Sequence, residues 1–414
     1  MKTRNLRISI LLFLMVCSAE AQKLSYDSYI QRVKDNNVGY IAEKYNIDIA
    51  KANVQAAKVF NDPEIGFTYS NNQDKKMQMG QSYEGELGYT LPLANVRGAR
   101  IGVASAEKDL TEASLADYFR NLKADAALEY AKALLCKKNM EVQYSSYEQM
   151  SQLAASDSVR HALGEISETD AMQSRLESKT MYNDYLQSET DYRNALIQLG
   201  CMMGDTCSES ISGLTDSLAF SPQAYSLPML LSKAEANRAD LQMAVLTKTL
   251  SERNLRLIRA NRATELGLTM GFAHNTIVRN EIAPAPAYNS LSVGVSIPLR
   301  LSNLNKGEVR AARYAVKQNE ATLSAVKLQI ASEVRQAYNS YVAAELMARR
   351  FSGTMISDAQ TILKNKIFGY KQGETGLLEV LDAQRTYNEV LLSFYDTLFR
   401  AMTAQIELDR AVGI

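Results

Sequence analysis

The sequence predicts a mixed α and β fold, in which long antiparallel helices are combined with four short β-strands in each chain. The first observation is the composition: Trp is absent, and there are only 20 Gly and 7 Pro among 414 residues, which favours long helices. The second is the stretch from about Val96 to Ser158, which contains no proline and would reach roughly 90 Å as one helix. The third is a set of four runs in which apolar residues alternate with small or polar ones, as in strands.

The N-terminus has the three regions of a secretory signal peptide, which we assign to residues 1–21. Lys2, Arg4 and Arg7 are basic, an apolar stretch follows, and Ala19-Glu20-Ala21 has the form of a cleavage site. Removal of the signal peptide leaves 43 basic and 45 acidic residues, since the whole chain has 46 of each. The mature chain is therefore close to neutral, which excludes a basic nucleic-acid binder. Lipidation at Cys17 is an alternative fate of the N-terminus.

Two similar sequence segments indicate an internal repeat: ELGYTLPL at 86–93 and SVGVSIPL at 292–299. Pro92 and Pro298, which end the strand-like part of each segment, lie 206 residues apart, and each half reads as helix, strand, strand, long helix, turn and long helix. The predicted segments are a first helix at 22–60, a hairpin at 61–93, a long helical hairpin at 94–204, a linker at 205–226, a helix at 227–262, a hairpin at 263–299 and a helical hairpin at 300–414.

The four alternating runs are predicted at 64–70, 82–91, 265–273 and 291–297. Each has one apolar face and one face of mainly small residues, which is typical of strands that place one face against lipid and the other against water. Four strands cannot close a membrane barrel, and an open strand edge is not tolerated in lipid. Several chains would therefore share one barrel. The alternative is a pair of ordinary hairpins, each half buried against a soluble helical body.

No motif for catalysis, cofactor binding or metal binding is present, so we expect no enzyme activity, no cofactor and no metal site. Three cysteines remain in the mature chain. Cys201 and Cys207 flank a short segment at a predicted helix end, and a disulfide between them is one possibility and two free thiols the other.

The stretch GYKQGETGLLEVLDAQRTY at 369–387 resembles the TolC family of outer-membrane efflux channels. The segments 297–299 and 303–308, Asn61-Asp62-Pro63-Glu64 and Arg97-Gly98-Ala99-Arg100 are similar to the cation-efflux (CzcC-like) branch of that family. The resemblance covers essentially the whole mature chain.

The resemblance implies a homotrimer in the outer membrane of a Gram-negative bacterium. Its twelve strands would form one barrel, and its helices would form a long α-helical barrel in the periplasm. It also implies a periplasmic adaptor and an inner-membrane pump, of the resistance-nodulation-division type, as partners. The expected function is that of a passive exit duct for small molecules or cations. The alternatives are the outer-membrane channel of a type I protein-secretion system and a secreted coiled-coil structural protein or adhesin.

The resemblance also implies which residues line the periplasmic entrance. Glu379 and Asp382 match two acidic positions of the family, and at a spacing of three they share a helix face. Threefold symmetry would turn each of these two residues into a ring of three carboxylates. Such a ring favours cations, and the crowding of like charges raises the pKa values of some of the carboxylates. In the first half, Asp170 corresponds to Glu379, whereas Gln173 replaces the second acid. The alternative is a solvated helix surface.

The turns between paired long helices are the second predicted site. In the family these tips dock the adaptor, and the alternative is a plain interhelical turn, since any such turn favours glycine. The predicted tip residues are Ala162, Leu163 and Gly164 in the first half and Lys371, Gln372 and Gly373 in the second.

Overall fold

The computed structural model describes residues 22–74, 77–205, 211–299, 305–351 and 354–414. Within these ranges the elements follow in this order: β1 (Gln22–Leu24), α1 (Tyr26–Asn36), α2 (Val38–Ala57), β2 (Glu64–Asn71), β3 (Gln81–Pro92), α3 (Val96–Ala162), α4 (Glu168–Met202), β4 (Ile211–Leu214), α5 (Leu227–Asn237), α6 (Ala239–Ala260), β5 (Glu265–Asn275), β6 (Tyr288–Ser296), α7 (Lys306–Arg350), α8 (Thr354–Gln372) and α9 (Leu377–Val412). No helix in these ranges is both long and apolar enough to cross a lipid bilayer.

The chain folds into two compact units, and both halves of the sequence contribute to each. The first unit joins the residues up to Glu43 with Leu115–Ala239 and Leu328–Ile414. The second unit joins Lys44–Ser114 with Asp240–Lys327. The compact units are therefore not the two sequence repeats, because each unit is assembled from equivalent parts of both.

The segments 22–60 and 227–262, each predicted as a single helix, are each interrupted once. The interrupting residues, Asn37 and Arg238, have extended backbones with ψ angles of 118° and 115°. Asn37 caps α2 by accepting a hydrogen bond from the Tyr40 amide, and its own amide group donates to the Met202 carbonyl. Arg238 is only 4% exposed and donates to the Ala411 carbonyl and to Glu333. Neither position carries the Gly or Pro that would have signalled a break.

The first unit has a small sheet of two strands, of which β4 lies inside the segment predicted as a linker and β1 lies at the start of the segment predicted as a helix. Strand β4 pairs in parallel with β1, and both lie against α1, α3 and α4. The Tyr130 hydroxyl donates to the Asp216 carboxylate at 2.7 Å and lies 3.1 Å from the Leu24 carbonyl oxygen, so that its one proton is shared between them and ties this sheet to α3. The buried ring of Tyr29 stacks on Tyr130. Ile211, Leu214 and Leu218 of the predicted linker are therefore part of the core of this unit.

The second unit contains an antiparallel sheet of four strands in the order β2-β3-β5-β6. The central pair, β3 with β5, joins the two halves of the sequence within one sheet. Within the described residues, β2 and β6 are each paired along one edge only. The sheet therefore ends in two open strand edges.

The two faces of this sheet differ in chemistry, as the alternation predicted. One row across all four strands consists of Ile65, Leu87, Met270 and Val293, whose side chains are 49–85% exposed. The next row consists of Gly66, Glu86, Gly271 and Ser292. The register therefore gathers large apolar side chains on one face and small or acidic residues on the other.

Candidate functional site at the helical turns

The two helical turns of the first unit have the same backbone geometry. Gly164 and Gly373 have φ angles of 77° and 78°, in the left-handed region that glycine adopts without strain. In each turn the glycine amide bonds the carbonyl three residues back, and the following amide, of Glu165 or Glu374, bonds the carbonyl five residues back. These paired bonds form a Schellman motif, which satisfies the last carbonyls of α3 and α8. The turns correspond at an offset of 209 residues.

The predicted tip residues lie at these turns, where Ala162 ends α3 and Gln372 ends α8. Leu163 and Lys371 are exposed, and no side chain lies within 4 Å of a Cβ built on either glycine. The space around both turns is therefore open, so only the backbone conformation requires glycine there.

Glu379 lies in the first turn of α9, where it forms an ion pair with Lys366 of α8 at 2.5 Å. Asp382, one turn further on, forms an ion pair with Arg385 at 2.6 Å. Each predicted entrance carboxylate is exposed and already has a basic neighbour in its own chain. Asp170 lies at the equivalent place in α4 and accepts a hydrogen bond from the Ser167 hydroxyl at 2.7 Å.

The pKa of Glu379 is lowered from its ordinary value, chiefly by the hydrogen bond and charge of Lys366. The physical reason is that the nearest charge within one chain is an ammonium group of the paired helix. The predicted rise in pKa concerns carboxylates crowded around a threefold axis, and it stays a prediction. Sequence reasoning missed Lys366 because the residues are 13 positions apart across a turn.

Glu379 and Asp382 line one groove between α8 and α9, with a volume of ≈ 490 Å³. Asp358 and Lys366 also line it, and Met355 and Ile362 supply its apolar part. The structure thus brings the two predicted carboxylates to one surface and adds a third acid, Asp358. Asp170 does not line this groove.

A second ionisable cluster, which sequence reasoning missed, lies one to two helical turns before the tips. Asp157 of α3 is 0% exposed, and the Tyr370 hydroxyl of α8 donates a hydrogen bond to its Oδ1 at 3.0 Å. Its Oδ2 has no hydrogen-bond partner within the described residues. The Arg160 guanidinium lies over the Tyr370 ring, 5.2 Å from its centre. The cluster therefore joins the two helical hairpins of the chain through buried polar groups.

Burial raises the pKa of Asp157 above its ordinary value, because the charged form loses hydration, and the hydrogen bond from Tyr370 offsets only part of this effect. The pKa of Tyr370 is also raised, chiefly by burial and then by its bond to Asp157. A signal for Asp157 did exist in the sequence. It follows the buried residues Met150 and Leu153 at helical spacing, so an acid occupies a position of the apolar seam.

The two halves hold different charges at equivalent positions. At the offset of 209 residues, Asp157 corresponds to Lys366 and Asp170 corresponds to Glu379. The second half therefore has an ion pair between its paired helices where the first half has two acids. The charge of Asp170 contributes to the raised pKa of Asp157.

The remaining predicted residues lie outside this cluster. Pro92 is the last residue of β3, paired with Glu265, and Pro298 lies two residues beyond the end of β6. Cys201 is exposed near the end of α4, whereas Cys207 lies outside the described residues, so the disulfide stays a prediction.

Comparison with known proteins agrees with the resemblance in the motif at 369–387. Residues 230–414 match the family model described as outer membrane efflux protein. The cobalt-zinc-cadmium resistance protein CzcC of Cupriavidus metallidurans is 21% identical over 95% of this chain and 91% of its own length. The outer membrane protein TolC of Vibrio cholerae is 21% identical over 72% of this chain and 66% of its own length.

The fold also matches solved structures. The outer membrane channel CmeC of Campylobacter jejuni superposes with a TM-score of 0.75 at 13% identity, over 94% of this chain and 85% of CmeC. The family match, the full-length relative and the fold agree with one another and with the outer-membrane location predicted from the sequence. Residues 230–414 thus match the outer membrane efflux protein family, and the chain as a whole is similar in sequence and fold to outer-membrane efflux proteins.

Proposed function

We propose that this protein is a passive exit duct, formed by three copies of the chain, through which an efflux system releases small molecules or cations. The observation that carries the proposal is the four-stranded sheet, with an apolar face, a small and acidic face, and two open edges. In lipid such edges must be paired, since no water is present to satisfy their backbone groups.

Three copies would satisfy this requirement, because twelve strands can close one barrel with the apolar rows toward lipid. Two copies would supply eight strands, which also reaches the size of a small barrel. The number of helices favours three copies, since more helical hairpins surround a wider passage for cargo. The oligomeric state is therefore the first quantity to measure.

The entrance of the proposed duct lies at the helical turns. There Glu379, Asp382 and the Asp358 of the same groove present carboxylates on α8 and α9. Asp170 places a further carboxylate at the start of α4. Repeated around a threefold axis, these groups would attract cations and repel anions.

The partners and cargo are also part of the proposal. Open turns at Gly164 and Gly373 provide a docking place for a periplasmic adaptor, and an inner-membrane pump of the resistance-nodulation-division type would supply the energy. The name of CzcC associates that relative with resistance to cobalt, zinc and cadmium, which supports cations as cargo here. Service in type I protein secretion would use the same duct with a different pump.

The test is the mass of the purified oligomer in detergent, combined with conductance in a planar lipid bilayer. We expect a trimer that forms single channels with a preference for cations. A mature protein that stays in the aqueous fraction without detergent, or a detergent-solubilised monomer without conductance, would contradict the proposal. Copurification with an adaptor and pump from the native membrane would identify the transport system.

A further inference from the structure

The second unit has a concentration of arginines where its helices meet the sheet. Helix α6 leads directly into β5, and α7 follows β6, so the end of α6 and the start of α7 lie at the same end of the antiparallel sheet. The start of α3 follows β3 at this end as well, because Pro92 pairs with Glu265. We call this the helical end of the sheet.

Six arginines at this end define a surface that we call the arginine collar. Four lie in or just after the last turns of α6, and two lie in the second turn of α7 and beyond. All are exposed except Arg262, which is half-buried. The collar consists of Arg253, Arg256, Arg259, Arg262, Arg310 and Arg313.

No residue of the collar forms an ion pair with a described residue, and none is among the residues with further contacts. Arginines elsewhere on exposed helices do find carboxylates, as Arg349 and Arg400 show. Arg97 and Arg100 lie at the same end of the sheet, but their guanidinium groups donate hydrogen bonds within the chain. The acceptors are the carbonyls at the end of α2 and just after it, those of Ala57, Lys58 and Val59.

The charge imbalance extends to the neighbouring segments at this end of the sheet. Residues 57–64, 94–104, 253–265 and 305–317 contain eleven basic side chains and four acidic ones, Asp62, Glu64, Glu265 and Glu308, although the whole chain has equal numbers. The basic residues are Lys58, Arg97, Arg100, Arg253, Arg256, Arg259, Arg262, Lys306, Arg310, Arg313 and Lys317.

We propose that the arginine collar binds the phosphate groups of anionic phospholipids in the membrane leaflet at the helical end of the sheet. Two features support this partner. The apolar sheet face, with Leu87, Met270 and Val293, lies in the same unit and would contact acyl chains. Arginine binds phosphate through paired N–H groups, and its long stem can extend from an apolar surface to the headgroup level.

The proposal rests on the proposed placement of the strands in a membrane, but it adds a requirement for a particular lipid chemistry. A neutral collar would suffice for insertion alone. The arginines would hold the channel at a fixed depth, because each phosphate contact is made only when the helical end lies at headgroup level.

The experiment measures lipid binding to the purified oligomer by native mass spectrometry. Phosphatidylglycerol and phosphatidylcholine with the same acyl chains compete for the protein, with and without excess inorganic phosphate. We expect phosphatidylglycerol to be retained preferentially, and free phosphate not to displace it, since phosphate alone lacks the acyl chains. The preference should fall by about five-fold for each arginine replaced, the factor that corresponds to one basic residue at an anionic surface.

The variants are two separate pairs, Arg256→Gln with Arg259→Gln, and Arg310→Gln with Arg313→Gln, so that one pair remains informative if the other fails to fold. The matched control pair is Arg175→Gln with Arg335→Gln, because both residues are exposed helical arginines without ion pairs, and neither is near the sheet. The control should keep the full lipid preference.

Three outcomes would overturn the inference: equal retention of the two lipids, an unchanged preference in both collar pairs, or loss of the trimer in the collar pairs without loss of lipid. The last would assign the collar to contacts between copies. Conductance of the same sample separates this inference from the proposed function. A conducting trimer without lipid preference overturns the collar alone, whereas a protein that does not enter membranes overturns the duct.

Discussion

The hydroxyl of Tyr370 donates a hydrogen bond to the buried carboxylate of Asp157, across 213 residues of sequence and from one helical hairpin to the other. Around it pack Met150, Leu153 and Val380, so the bond lies in an apolar cluster. Because the bond joins α3 to α8 close to the turns, it holds the two hairpins together near the proposed entrance. Several measurable properties of the protein depend on it.

The change Tyr370→Phe removes the hydroxyl that donates to Asp157 Oδ1 and weakens the hydrogen bonding of a buried carboxylate. We expect it to weaken the local packing by about 1–3 kcal/mol. Hydrogen exchange of the backbone amides in 150–160 and 366–372 should become faster. The control Tyr144→Phe removes an exposed hydroxyl on the same α3 and should leave exchange unchanged. Equal exchange in the Tyr370 variant and the native protein would show that the bond carries no stability.

The change Asp157→Asn tests the raised pKa of this carboxyl. In the folded state the pKa of Asp157 lies above its ordinary value of 3.8. The protonated group therefore stabilises the fold at low pH, and this contribution is lost as the pH rises through the folded-state pKa. Asparagine can still accept the Tyr370 hydrogen bond without a charge. We therefore expect the variant to lose the native decline in local stability above pH 4, as followed by hydrogen exchange. A decline that persists in the variant would point to another group.

The changes Glu379→Gln and Asp382→Asn test the proposed entrance. Their combination should reduce the permeability ratio of K⁺ to Cl⁻ by about half or more, because two carboxylates are lost from each chain. Reversal potentials in planar bilayers under a salt gradient measure this ratio. The control Glu148→Gln removes an exposed carboxylate of α3 outside the groove. Unchanged selectivity in the double variant would contradict the assignment of Glu379 and Asp382.

The change Lys366→Gln, in the same groove, should alter ion selectivity in the opposite direction. Lys366 lowers the pKa of Glu379 and neutralises its charge within one chain. Removing the ammonium should raise the pKa of Glu379 toward its ordinary value, and at pH 7 should increase the preference for cations. The reversal potential should move away from zero, in the opposite direction from the Glu379 and Asp382 variants. A shift in the same direction would mean that Glu379 does not face the passage.

The changes Gly164→Ala and Gly373→Ala test the requirement for glycine at the two turns. Both residues have positive φ angles but open surroundings, so alanine meets only a backbone cost of about 1 kcal/mol. Gly307→Ala is the matched control, because Gly307 also has open surroundings but has no positive φ angle and lies in α7. We expect Gly307→Ala to leave the midpoint of thermal unfolding unchanged or to raise it slightly, and the two turn variants to lower it. Equal effects of all three changes would contradict a special role for the turn backbone.

Much of the sheet could be predicted from the sequence, because a period of two fixes which residues share a face. Ile65 and Val293 are alternating apolar residues of the predicted runs 64–70 and 291–297, and they lie in one row across four strands. The breaks at Asn37 and Arg238 could not be predicted, since they depend on side-chain bonds to Met202 and Ala411, remote in sequence.

At the candidate site, the sequence predicted the turns and the carboxylates but not their neighbours. Glycines mark the turns locally, and the motif at 369–387 marks Glu379 and Asp382. The ion pair with Lys366 and the buried bond between Asp157 and Tyr370 arise only when separate helices pack, and no local pattern encodes that contact. Within one chain the contact with Lys366 lowers the pKa of Glu379, and the effect of a ring of carboxylates in a trimer stays a prediction.

The exchange of charge between positions 157 and 366 gives the duplicated halves opposite responses to acid. Protonation of Asp157 removes a buried charge at the contact between the two hairpins, whereas protonation of Glu379 breaks an exposed ion pair within the second hairpin. A symmetric duplication would tighten or loosen as a whole. In this chain a fall in pH would instead favour the buried contact between the hairpins and weaken the ion pair within the second hairpin, so that the contacts at two equivalent positions of the repeat respond to acid in opposite directions.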